Sequence, residues 1–113
     1  MATSLDIATL ALKHLGVIAA EETPSSADAT EGTDTYDRIY AELQEDGFAL
    51  WASASIPAYL EDALMRCVAA RLRPIFFTVE PALHEAETMS ADQTLKRWLR
   101  RRRTEAPVEI QDY

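Results

Sequence analysis

The residues with the sharpest chemistry in this 113-residue chain are one cysteine, Cys67, two histidines, His14 and His84, two tryptophans and nineteen carboxylates. A metal centre needs several ligands at short, regular spacing, and neither histidine has a second histidine or cysteine beside it. His14 falls at the end of an apolar helical pattern, where it reads as a packed side chain or a partner of the helix dipole. Cys67 lies inside another apolar pattern and reads as a small buried residue, because a lone cysteine has no internal disulfide to make. No phosphate-cradling glycine loop, His-Glu-x-x-His helix, paired-cysteine motif or nucleophile elbow occurs. The acids fall mostly on polar helix faces as solvated charges, without the contrasting environments that separate a general acid from a general base. The expectation is therefore a protein that is not an enzyme and holds no metal or cofactor.

Charge is distributed in blocks. The chain carries a net charge of −8, with fifteen acids against five bases in residues 1–90, one against six in 91–104, and three acids with no base in 105–113. An acidic body repels a nucleic-acid backbone, which argues against general DNA binding despite Arg100, Arg101, Arg102 and Arg103. At about 100° per residue, four consecutive helical arginines point in four directions, so some of them should meet a partner.

These groups must be held by helices, because the chain is 48% hydrophobic with only three glycines and few β-branched residues. The prediction is one all-α domain over 1–104, a small bundle of about four helices, followed by an extended C-terminal arm over 105–113. No stretch is apolar enough to span a bilayer and the first residues lack a signal-peptide layout, so the chain is expected to be soluble and made in the cytoplasm. The first helix runs from about Ser4 to Leu15, capped by Thr3 or Ser4 and ended by Gly16. Leu5, Ala8, Leu12 and Leu15 form one apolar stripe and Ile7, Leu10 and Ala11 a second, so the helix is either central or meets a neighbouring subunit through the second stripe.

Pro24-Ser25-Ser26 announces a second helix, with Ala29, Gly32, Tyr36, Ile39, Tyr40 and Leu43 facing inward and Glu31, Asp34, Asp37, Glu42 and Glu45 outward. Gly47 ends it, and Trp51 anchors the crossover that follows. Pro57 opens a third helix to about Phe76, with Leu60, Ala63, Leu64, Cys67, Val68, Leu72 and Ile75 on its core face. Arg71 falls within that apolar arc, where its guanidinium must snorkel out or meet a carboxylate, with an ion pair to Glu42 or Asp46 the favoured reading. Pro74 should kink or fray the helix end, and Pro81 opens a fourth helix through Leu83, Ala91, Leu95 and Trp98. After Pro107 the ending Val108-Glu109-Ile110-Gln111-Asp112-Tyr113 largely alternates apolar and polar residues, which suits an arm or strand laid on another subunit, the alternative being a disordered end in the isolated protein.

The run Ala11-Leu12-Lys13-His14-Leu15-Gly16-Val17, then Glu22-Thr23-Pro24-Ser25 and a small-residue acidic helix, resembles the opening of the small head-to-tail connector proteins of tailed bacteriophages. Tyr36 to Leu43, Gly47, Leu50-Trp51, Ile56-Pro57, the helix bearing Val68-Ala69-Ala70, the arginine-rich fourth helix and the ending to Tyr113 continue the likeness over nearly the whole chain. Phe76-Phe77-Thr78 departs from it, where a glycine often follows the third helix. The resemblance implies a neck adaptor or head completion protein of the virion, a ring of usually twelve copies between the portal protein and a tail or stopper protein, through which packaged DNA passes without sequence-specific binding. On that reading Ile7, Leu10 and Ala11 meet the neighbouring subunit, Arg100–Arg103 with Val108, Ile110 and Tyr113 bind the portal, and Glu31, Asp34 and Asp37 face the channel. The rival reading is a small helical adaptor or regulator, monomeric or dimeric, that grips an acidic partner through its arginines.

Overall fold

Two ends fix the first helix, α1 (Ser4–Leu15). Thr3 Oγ1 accepts the Asp6 N–H at 3.3 Å while the Asp6 carboxylate accepts the Thr3 N–H at 2.9 Å, a reciprocal cap that satisfies two otherwise orphaned donors. At the other end Gly16 takes φ 80°, a left-handed conformation, and returns its N–H to the last carbonyls. In α2 (Ser26–Glu45) the Ser25 hydroxyl caps the Asp28 N–H, and the chain turns away at Gly47, φ 76°. A short 3-10 turn (Ala58–Leu60) leads into α3 (Glu61–Phe76), and α4 is Pro81–Ile110. This is a computed structural model that describes residues 2–48, 51–52 and 54–110, with side chains as far as Arg100.

The chain is an all-α globule of four helices, as its composition predicts. Its core is built from Ile7 and Leu12 of α1, Tyr36 and Ile39 of α2, and Leu64, Val68 and Leu72 of α3, with Ile56 and Leu60 from the approach to α3. The N-terminus is pinned beside that approach by an antiparallel bridge, in which Ala2 and Ile56 exchange backbone hydrogen bonds of 3.2 and 2.9 Å. α1 packs on both α2 and α3, and α4 lies chiefly along α3. Trp51 anchors the crossover: its indole N–H donates to the Tyr36 hydroxyl at 3.1 Å, its carbonyl accepts from the Tyr40 hydroxyl, and the Tyr40 ring meets it edge-on at 5.4 Å.

Several sequence expectations are corrected. Pro57 precedes a 3-10 turn rather than opening the α-helix directly. Ile75 is exposed, while its neighbour Phe76 packs against the core, and Leu83 in the first turn of α4 is exposed as well. Among the described side chains of α4 the buried ones are Leu95 and Leu99, with Trp98 exposed, since the helix turns the arc of Asp92, Leu95 and Leu99 toward α3. The extended C-terminal arm expected over 105–113 belongs to the tail whose side chains lie outside the described residues. Residues 111–113 of the expected arm lie outside the described residues.

Candidate functional site

The surface of α2 that turns from the core is acidic. Glu31, Asp34 and Asp37 are all exposed there, as their spacing predicts, with Arg38 the one base among them. Such a face is set by the opposite arc, where Gly32, Thr35, Tyr36, Ile39 and Leu43 are buried against α1 and α3. Thr35 escaped the sequence reading; it can be buried because its hydroxyl donates to the Glu31 carbonyl at 2.8 Å.

The second stripe of α1 is divided. Ile7 and Ala11 are fully enclosed by the chain's own core, so of the three residues expected at a subunit interface, Ile7, Leu10 and Ala11, only Leu10, 42% exposed, is accessible. The helix buries one broad arc, Ile7, Ala8, Ala11, Leu12 and Leu15, drawn from both expected stripes, and leaves Leu5, Asp6, Leu10 and His14 exposed. Apolar surface appears instead at the α3–α4 turn, where Ile75, Phe77 and Leu83 are exposed at 53%, 43% and 65%. Sequence periodicity places Ile75 on the core face of the third helix, and position along the helix rather than period leaves it exposed.

At the basic end of α4, Arg100 is exposed and its guanidinium stands 5.7 Å from the centroid of the Phe48 ring. The side chains of Arg101, Arg102, Arg103, Val108 and Ile110, and all of Tyr113, lie outside the described residues. A groove of about 410 Å³ runs between the end of α1, the 3-10 turn, α3 and α4, bordered by His14, Tyr59, Arg66, Glu87, Thr94 and Trp98. Its lining mixes charged, aromatic and small residues. No group of His, Cys, Asp and Glu that could hold a metal ion occurs among the described residues. Nor is any described helix long and apolar enough to cross a membrane.

The most developed polar cluster joins three helices. Arg71 of α3 grips Asp92 of α4 through two bonds of 2.9 Å, with Glu42 of α2 more distant at 3.9 Å. Of the two partners expected from the sequence, Glu42 does pair with Arg71, as the weaker of its two carboxylates, whereas Asp46 faces Lys96 at 3.8 Å and Asp92 was not foreseen. Burial lowers the guanidinium's affinity for its proton, but Asp92, Cys67 and Glu42 outweigh that and leave its pKa raised. Beside this pair the Cys67 thiol is pushed up from 9.0 to about 12, first by burial and then by the Asp92 charge. Such a thiol is inert as a nucleophile at neutral pH.

That shift has a measurable consequence. Between pH 9 and 12 the unfolded chain gives up the Cys67 proton while the folded chain keeps it, so folding stability is fully present below pH 9 and falls as pH rises through that window. Tyr36, raised by burial from 10.0, adds loss of the same sign. Denaturant titrations should therefore show a shallower alkaline loss in Cys67→Ala than in the parent; identical slopes would mean that the thiol titrates alike in both states.

No family model, curated protein or solved structure matches the chain.

Proposed function

We propose that the chain is a non-enzymatic structural subunit of the ring adaptor between the portal and the tail of a tailed bacteriophage or phage-like particle. The observation that carries this reading is the segregation of surface on a small body: an acidic face on α2, an apolar knob at the α3–α4 turn, and a run of arginines along the end of α4. A solitary domain has little use for exposed Ile75, Phe77 and Leu83 together, whereas neighbouring subunits would cover them. Leu10 of α1 is available to the same lateral contacts. Glu31, Asp34 and Asp37, exposed on one helix, are suited to a lumen along which DNA slides without sticking, since like charges repel. Arg100–Arg103 with Val108, Ile110 and Tyr113 are assigned to the portal, where positive charge would meet acidic groups. The order of helices and their connecting motifs, similar to the connector family along nearly the whole sequence, supports the same assignment.

Electron microscopy of the protein mixed with the portal encoded beside its gene tests the proposal. The expected result is an annulus of copies seated under the portal ring, lost on deletion of residues 105–113. A protein that stays monomeric or dimeric in every such mixture would be the helical adaptor of the rival reading, and the proposal would be withdrawn.

A further inference from the structure

α4 is held to the body in two different ways along its length. Leu95 and Leu99 enter the core, and Arg100 stands over Phe48. Residues 81–94, by contrast, contain no buried side chain; those that face α3 are half-buried and mostly polar, namely His84, Glu87, Thr88, Ala91, Asp92 and Thr94. What fastens this half is charge. Arg71 holds Asp92 with paired bonds of 2.9 Å and Arg73 holds Glu87 at 2.9 and 3.2 Å, while Lys96 faces Asp46 just beyond.

We infer that residues 81–94 form a clasp that opens from α3 as a unit when its ion pairs are screened, while α1–α3 and the anchored stretch 95–100 stay folded. The free-energy balance favours such local opening. A helix docked by apolar burial gains about 25 cal/mol for each Å² removed from water and resists salt, but here the docking rests on partly exposed ion pairs that salt weakens. Docking also has a cost that opening removes: His84 Nδ1 and Thr88 Oγ1 are shut off from solvent with no hydrogen-bond partner among the described residues. A non-helical connection, 77–80, lies at the free end of the clasp, so its release does not strain α3. Sub-global units of this kind open well below the free energy of global unfolding. The inference stands on the packing of α4 alone and does not require the virion role.

The chain carries its own reporter. Cys67 is the single cysteine, it is fully buried, and its thiol lies beside the Asp92 carboxylate that the clasp would carry away. Opening brings it to solvent and returns it toward its ordinary acidity, and both changes speed alkylation. With iodoacetamide at constant pH, raising sodium chloride until the Debye length falls from about 10 Å to about 4 Å should increase the labelling rate about tenfold or more, with helical circular dichroism unchanged. Hydrogen exchange in the same salt series should accelerate at the amides of 81–94 and leave those of 4–15 unaltered. Asp92→Asn should label fast already at low salt and lose most of the salt dependence, and Glu87→Gln should move partway. Salt-independent labelling of the parent protein, or amides of 81–94 and 4–15 that exchange in step, would overturn the clasp and leave α4 as part of one cooperative unit. Neither outcome bears on portal binding, so the two proposals fail separately.

Discussion

Gly32→Ala should destabilise the protein by about 2–3 kcal/mol, with a fall in Tm of roughly 8–15 °C, although alanine is the better helix former. Gly32 faces α1 from the middle of α2, and a Cβ built there would stand 2.5 Å from Ala8 Cβ and 3.3 Å from Ala8 Cα. No rotamer relieves that overlap, because both groups are fixed to helix backbones. The helices must part, and separating them loosens the contacts of Ile7, Leu12, Tyr36 and Ile39, the residues nearest the seam in sequence. About 1 kcal/mol of helix propensity gained by replacing glycine offsets part of the loss. The distinguishing observation is the double variant. Ala8→Gly alone should destabilise, but in the Gly32→Ala background it should restore stability, because it removes the atom that clashes. Thermal denaturation of the four proteins gives the coupling, and additive effects would mean that the seam does not set the helix spacing.

The same seam shows what a sequence can and cannot disclose. Periodicity places Gly32 on the inner face of the second helix, and Thr3, Gly16 and Ser25 mark helix ends where the caps are found, because caps and turns are local chemistry that a few adjacent residues decide. That Gly32 meets Ala8 depends on how two helices cross, which no local pattern contains. The same divide separates the candidate surfaces. Exposure of Glu31, Asp34 and Asp37 follows from the helical period alone. The burial of Ile7 and Ala11, with Leu10 left exposed between them, follows only from where α2 and α3 pack against α1. Ile75 misleads in the opposite sense, lying at a core-like position of the third helix yet exposed near its end. The register of α4 was illegible for a further reason: a carboxylate reads as solvent-facing, so nothing local reveals that Asp92 turns inward to Arg71, twenty-one residues away, and carries Leu99 into the core in place of Trp98.

Removing that guanidinium should have the second large effect. Arg71→Met keeps an unbranched chain of similar reach but leaves Asp92 beside the α3–α4 interface without its bidentate partner. Breaking a fully buried pair in this way costs about 3–5 kcal/mol, and the 23% and 31% exposure of the two side chains lets water recover part of it, so a loss of about 2 kcal/mol is expected. Most of that loss is the stranded carboxylate rather than the forfeited attraction, and the two can be separated. In Arg71→Met with Asp92→Leu the charge is gone along with its partner, and the double variant should return to within about 1 kcal/mol of the parent, because a well-packed apolar pair commonly replaces an ion pair at little cost. Urea denaturation of the single and double variants provides the comparison. A double variant no more stable than Arg71→Met would show that the pair's own attraction holds α3 and α4 together. Recovery would instead assign the arginine the task of neutralising an inward-facing acid, and the double variant's α4 would then be docked by apolar contact and indifferent to salt.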